Sequence, residues 1–314
     1  MDEEKVLIYK PEDCIEEMTQ GLLNGKIKGT TTYNADIDKC WTWRTQEANI
    51  WTGYANEGKS LFIKQLSIKK ALETDKKFVF SSPEDFPAHE FFDDMIHTLT
   101  GRTTDKDYPG VISEDLYRHA YELIKDLFIF VYIKPPNNTI KGVLEAFRQV
   151  CEDEQGDVYG CIIDPIVKFA RPKGFSERDD IYAGYIGSLA IDFCRETNTS
   201  FHLVMHQLTP QMEVGTVKQY PEPSMYRVKG GGSWSDGFDN VLSVWRPKYA
   251  SDKMDTEVQF ASQKIKKQKL VGIPQRLAVR FDRKSNRYTD IETGFPLFDF
   301  DKFMPSKFAR KLTL

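Results

Sequence analysis

The chain has 314 residues, 40% hydrophobic and 13% aromatic, a formal net charge of −4 and a pI near 5.9. This suits one large α/β domain or two small ones with a sizeable core, and leaves nucleic-acid binding to a local basic surface rather than to global charge. Cys14, Cys40, Cys151, Cys161 and Cys194 are odd in number and lack a C-x-x-C pair, so a disulfide framework and a zinc site are excluded in favour of a reduced compartment. The acidic start, MDEEKVLIYK, has no apolar signal region, and no apolar run reaches bilayer-spanning length; the expectation is a soluble intracellular protein with no membrane partner.

Residues 11–23 have the spacing of a short helix, with Ile15, Met18, Leu22 and Leu23 on one face and Glu12, Glu16 and Glu17 off it. Gly21 and Gly25 weaken it, and residues 29–34 (GTTTYN) read as a polar linker. Such a helix either docks on its own domain or on a neighbouring copy, and the pattern is compatible with both.

Next comes Gly53-Tyr54-Ala55-Asn56-Glu57-Gly58-Lys59-Ser60, a complete match to G-x-x-x-x-G-K-[ST]. A β-prone run at 48–52 precedes it, and Leu61, Phe62, Leu66, Ile68 and Leu72 follow with helical spacing. Strand, glycine-rich turn and helix form the context of a phosphate-binding loop, whose backbone N–H groups and helix N-terminus attract phosphate oxygens. Lys59 is placed to reach the β- and γ-phosphates of an NTP, and the Ser60 hydroxyl to hold Mg²⁺.

Downstream, 78–80 is a short strand leading into Ser81-Ser82-Pro83-Glu84-Asp85, then a helix with Phe91, Phe92, Met95, Ile96 and Leu99 on its apolar side. Ser113 caps another helix, 127–133 reads as an apolar strand, and Thr139 caps a helix carrying Ile140, Val143, Leu144, Phe147 and Val150. A strand at 158–163, a helix at 179–197 and a strand at 201–205 complete an alternation that predicts a mostly parallel sheet flanked by helices. The β-prone runs 240–245, 257–265 and 276–281 predict added antiparallel strands rather than a second domain.

Four features along this frame carry candidate chemistry. Asp164 ends an apolar strand after the phosphate loop, a position suited to Mg²⁺. Glu84 is either a general base for the attacking water or an acid favoured by a helix N-terminus. His206 or Gln207, at the end of the next strand, is placed to read a γ-phosphate. The loop 209–234, with Gly215, Lys218, Arg227, Lys229, Gly230, Gly231 and Gly232, is either a contact for nucleic-acid phosphates or a solvated surface.

In this order, WTGYANEGKS, FVFSSPED, CIIDPIV with LVMHQLTP, and VKGGGSWSDGFDNVLSVWRP resemble the RecA-like core of hexameric replicative helicases. The likeness is to the Twinkle and phage primase-helicase type, with DnaB more distant, and a fifth stretch, KIKKQKLVGIPQRLAVRFDRKSNRYTDI, extends it to about residue 295. The resemblance implies a RecA-like P-loop NTPase fold: an N-terminal linker helix (1–30), the core (31–300) and a tail (301–314). It implies nucleotide contacts from Gly53, Asn56, Glu57, Gly58, Lys59, Ser60 and Leu61, with Arg246 and Phe281 flanking the base. Glu84 would be the catalytic base, Asp164 the Mg²⁺ partner and His206 the γ-phosphate sensor. Lys218, Arg227, Lys229, Gly230, Gly231 and Ser233 would meet single-stranded DNA.

ATP or another NTP with Mg²⁺, a hexameric or heptameric ring on single-stranded or forked DNA, a separate primase and polymerase, and the cytoplasm of a bacterial or phage-infected cell are implied likewise. One departure stands out. Where the family carries a trans-acting arginine, this chain has Lys267 and Lys269, which lack the bidentate fork. No primase or zinc module accompanies the core. The rival reading is a RecA-like ATPase that loads, regulates or mediates recombination without processive unwinding; a metabolic kinase would need an acceptor-binding motif that is not seen.

Overall fold

Strand and helix alternate through a single nine-stranded sheet in the order β3-β2-β4-β5-β1-β6-β7-β8-β9. The structure, a computed structural model, describes residues 8–108, 110–175, 178–209 and 220–307. A 3-10 turn at Pro11–Cys14 leads into α1 (Ile15–Asn24), followed by α2 (Ala35–Cys40). Then come β1 (Ala48–Gly53), α3 (Lys59–Thr74), β2 (Lys77–Ser81), α4 (Ala88–Thr100), α5 (Glu114–Ile124) and β3 (Phe128–Phe130). The alternation continues through α6 (Ile140–Asp153), β4 (Val158–Ile163), α7 (Asp179–Glu196) and β5 (Ser200–His206). The C-terminal part holds α8 (Ser233–Gly237), β6 (Asn240–Trp245), β7 (Glu257–Ile265), α9 (Gln268–Val271), β8 (Arg276–Asp282) and β9 (Arg287–Asp290).

Strands β3 through β6 pair in parallel and β7, β8 and β9 extend the sheet antiparallel. Successive strand residues point to opposite faces, so each buried strand supplies both cores. In β1, Ile50 enters the core under α6 and α7, while Trp51 enters the one under α3, α4 and α5. The caps form as the sequence predicts: Leu116 N–H donates to Ser113 Oγ at 3.4 Å and Gly142 N–H to Thr139 Oγ1 at 3.1 Å. The strand expected over 127–133 is shorter, because β3 is an edge strand paired only with β2, and Val131 N–H to Phe80 O is its last bond there. Strand β9 and the turn of α9 are additions to the expected elements; both are too short to carry a periodic signal.

Residues 29–43 belong to the packed core. Gly29 N–H donates to Leu270 O at 2.7 Å, Thr30 bridges to Trp43, and Lys70 Nζ donates to Thr30 Oγ1 at 2.7 Å. The apolar face of α1 is different: Ile15 is 56% exposed, Met18 58% and Leu22 83%. No helix among the described residues is long and apolar enough to cross a membrane. Parallel order places the C-terminal ends of β1, β2, β4 and β5 along one edge, where ligands of open α/β sheets bind.

Candidate nucleotide site

The phosphate-loop motif leaves β1 at Gly53 and enters α3 at Lys59. Gly53 has φ 154° and lies so close to β6 that a Cβ would sit 2.1 Å from Val244 O. Gly58, at φ 91°, is equally constrained, since a Cβ there would meet Tyr288 Oη at 2.2 Å. Instead the Tyr288 hydroxyl donates to Gly58 O at 2.9 Å, so β9 closes the loop from the far side of the fold. These glycines are required by close backbone approach as well as by left-handed conformation.

Lys59 is only 4% exposed and its Nζ donates to Tyr54 O at 2.7 Å, folding the ammonium over the loop. Burial lowers its pKa against the pull of Asp164, Glu57 and Glu84. An ammonium held this way, at the N-terminus of the 16-residue α3, suits anionic oxygens that replace the carbonyl. Glu57 is buried between the loop and β6; its Oε2 accepts Arg246 N–H at 3.4 Å and its Oε1 has no partner. Burial pushes its pKa up to about 7, opposed by the Arg246 N–H and the Lys59 charge.

Asp164 follows the end of β4, with its N–H on Ser81 O at 3.0 Å. The side chain is 4% exposed, and burial raises its pKa to about 6 despite hydrogen bonding from Ser60 and the charges of Lys64 and Lys59. A buried carboxylate with so high a pKa lacks positive charge. A hydroxyl and a carboxylate oxygen are ligands suited to a hard divalent cation, so Ser60 and Asp164 fit Mg²⁺. Glu84 sits on the 3-10 turn Pro83–Asp85 after β2, with Lys168 Nζ 3.1 Å from its Oε1.

His206 ends β5 in register with Gly53, and its Nδ1 is buried with no partner. Burial, and then the Lys59 charge, push its pKa down to about 4, so the imidazole is neutral at physiological pH. Of the two residues singled out at this strand end, His206 lines the cavity. Gln207 does not: its Nε2 donates to Thr52 Oγ1 and Ser224 O, each at 2.9 Å, and its Oε1 accepts Ser224 N–H at 3.2 Å.

Lys59, Ser60, Glu57, Glu84, Asp164 and His206 surround one cavity of about 450 Å³, joined by Asn56, Gly58 and Leu61. Arg246 and Phe281 line its other end. The Arg246 guanidinium stacks on Tyr249 at 3.9 Å, and its Nη2 donates to Asp255 O. Sequence reasoning missed Lys64, Asp94, Asn286 and Tyr288, which complete the lining. Lys64 looked like the polar face of α3, and the β9 hairpin carries no local signal.

The remaining singled-out residues lie elsewhere. Arg227 and Lys229 are exposed on the segment after β5, with Gly230, Gly231 and Ser233 beside them, while Gly215 and Lys218 lie outside the described residues. That segment is tied to the strand end by Leu208 N–H to Arg227 O at 2.9 Å and Lys229 N–H to His206 O at 2.8 Å. Gly230, at φ 101°, lies against the Trp234 indole, which a Cβ would meet at 2.6 Å. Lys267 and Lys269 are exposed and line a separate hollow of about 370 Å³ with Lys26 and Lys266. Lys267 Nζ lies 3.6 Å from Glu47 Oε1.

A phosphate loop on a mostly parallel sheet with antiparallel strands beyond β6 is the RecA-like P-loop NTPase fold. Among solved structures the chain is similar to the ATPase domain of a DnaB-like helicase, with a TM-score of 0.71 and 14% identity over 90% of this chain and 99% of that one. It is also similar to a DnaB-like replicative helicase solved with attention to its interactions with primase, at a TM-score of 0.68 and 14% identity, covering 92% of this chain and 68% of that one. At such identity the likeness is one of fold. A scan of protein-family models and a search of curated proteins each return no match.

Proposed function

We propose that the chain is the NTP-driven motor core of a replicative DNA helicase, translocating on single-stranded DNA as a ring. The observation that carries this reading is the end of β5, where one backbone joins the two halves of the activity. His206 lines the nucleotide cavity, its carbonyl accepts the N–H of Lys229, and Arg227 and Lys229 project from the same segment into solvent. A change at the γ-phosphate then shifts basic side chains suited to nucleic-acid phosphates. The fold shared with helicase ATPase domains supports the same reading.

In the mechanism, α3 and the loop backbone bind the phosphates, and Lys59 neutralises the β- and γ-oxygens. Mg²⁺ held by Ser60 and Asp164 supplies further charge neutralisation when bound. Glu84 accepts a proton from the water that attacks the γ-phosphate, and neutral His206 hydrogen-bonds the γ-oxygens. Arg246 and Phe281 hold the base. A separate primase and polymerase would work beside such a core.

Strand separation of a forked duplex, measured with each NTP, tests this function. Wild-type protein should unwind it, and Arg227→Ala/Lys229→Ala should bind single-stranded DNA more weakly with little change in nucleotide affinity. Each lost phosphate contact should flatten the log–log salt dependence by roughly 0.7. An unchanged slope with intact unwinding would move the DNA contact elsewhere.

The exposed face of α1 supports assembly. Ile15, Met18 and Leu22 stand in solvent within their own chain, and an apolar helix face of this kind is stabilised by burial against a partner. Removing residues 1–28 should therefore leave a folded core that no longer forms rings with nucleotide. Light scattering decides it: a truncated protein that still assembles would take the ring contact away from α1.

A further inference from the structure

A buried ion cluster beside the phosphate loop takes no part in the steps above. Lys64, on α3 just beyond Ser60, is 4% exposed. Its Nζ lies 2.8 Å from Asp94 Oδ2 and 3.0 Å from Asp85 Oδ2, and 5.2 Å from the centroid of the Phe91 ring. Burial alone would lower its pKa, but Asp94 and then Asp85 outweigh that and hold it above the ordinary lysine value, so the ammonium is charged. Each carboxylate is fixed a second time: Ser82 Oγ donates to Asp85 Oδ2 at 2.9 Å, and Asn286 Nδ2 donates to Asp94 Oδ1 at 3.1 Å. The cluster thus ties the phosphate-loop helix to α4, to the β8–β9 turn, and to the turn Ser82–Asp85 that carries Glu84.

A buried ion network of this sort contributes little net stability, since apolar side chains of similar volume serve as well. What it supplies is fixed geometry. We propose that Lys64 is a positioning residue for hydrolysis, holding the Glu84 turn in register with the phosphate loop through Asp85. The proposal rests on the hydrolase reading with Glu84 as base. A general base works only within hydrogen-bond reach of the water it activates, and Glu84 has no buried anchor of its own: its ion pair is with Lys168 at a half-exposed site. Asp85 supplies the anchor one residue away. Lys64 also offsets the charge of Asp85, which otherwise adds to the raised pKa of Asp164 beside the Mg²⁺ ligands.

The test uses the full chain as wild type, Lys64→Met, Lys64→Arg and Asp85→Asn, with Lys59→Ala as control. Steady-state hydrolysis, equilibrium binding of a fluorescent ATP analogue and the melting temperature are measured for each. Lys64→Met and Asp85→Asn should lower kcat about 10- to 100-fold, the cost of a displacement near 1 Å, with nucleotide Kd changed by less than about threefold. Lys64→Arg should recover most of the rate, since it keeps the charge between both carboxylates. An unchanged kcat in Lys64→Met overturns the proposal. So does a joint fall of kcat, affinity and melting temperature that arginine does not repair, because that is the signature of a purely structural role. If Lys64→Met fails to fold, Asp85→Asn decides by the same criteria. Wild-type protein without Lys59-dependent hydrolysis overturns the hydrolase reading and this proposal with it, whereas a wild-type rate in the Lys64 and Asp85 variants overturns the proposal alone.

Discussion

Lys59→Ala should reduce NTP turnover by about 10²- to 10³-fold or more, the scale on which a preorganised charge at a developing oxyanion acts. The ammonium is folded over the loop at 2.7 Å from Tyr54 O and is almost fully buried. In that setting it is poorly screened, so its attraction for the β- and γ-phosphates is far stronger than the same charge would exert in water. Neighbouring Asp164 and Glu84 hold it charged against the cost of burial. Alanine removes the only lysine of the phosphate-loop motif and leaves acidic side chains facing the triphosphate. Nucleotide affinity should fall with the rate, because the lost charge serves ground and transition states alike. Turnover within twofold of wild type would dismiss the nucleotide site altogether.

The second large effect is expected at the lysines standing where an arginine finger belongs. Lys267 and Lys269 are exposed, and neither lines the nucleotide cavity of its own chain. With Lys26 and Lys266 they surround a cationic hollow, a surface suited to the triphosphate of a neighbouring subunit. Hydrolysis per subunit should then rise with protein concentration as rings form. Alanine at the responsible lysine should suppress that rise by about 10²-fold, less than the 10³–10⁵ of an arginine finger, because a point charge lacks the aligned fork. Nucleotide binding should be unaffected.

The fold should tolerate the change at Lys267. Its partner Glu47 keeps Arg44 Nη1 at 2.6 Å and Asn240 Nδ2 at 3.0 Å, so no buried carboxylate is stranded. Arginine at the same position should restore or raise the rate. Mixing separates action in trans from action in cis: Lys59→Ala subunits retain their lysines and should rescue a finger variant whose own phosphate loop is intact. Absence of rescue, together with wild-type activity in both alanine variants, would leave Lys267 and Lys269 as solvated surface residues.

Some of this was legible residue by residue. The motif from Gly53 to Ser60 is contiguous, and its strand and helix flanks announce themselves by period. Asp164, Glu84 and His206 could be singled out because each ends an apolar strand, and parallel strands deliver their C-terminal ends to one edge. The choice between His206 and Gln207 at the cavity needed the three-dimensional arrangement, since adjacent strand residues differ only in the face they take. Lys64 was passed over for a related reason: in a helix rich in lysine, nothing local marks the one that points inward between two aspartates.

By itself, then, the sequence determined the phosphate loop, the alternation of strands and helices, the added antiparallel strands and the amphipathic character of α1. Each is a local property, written in spacing and in residues with restricted backbone freedom. Tertiary structure alone decided that Tyr288 of β9 closes over Gly58, that Asn286 holds Asp94, that Lys59 and Asp164 are buried together, and that α1 leaves its apolar face bare. Those outcomes join residues remote in the chain, and their energies come from burial and from long-range pairing, which no window of neighbouring residues records.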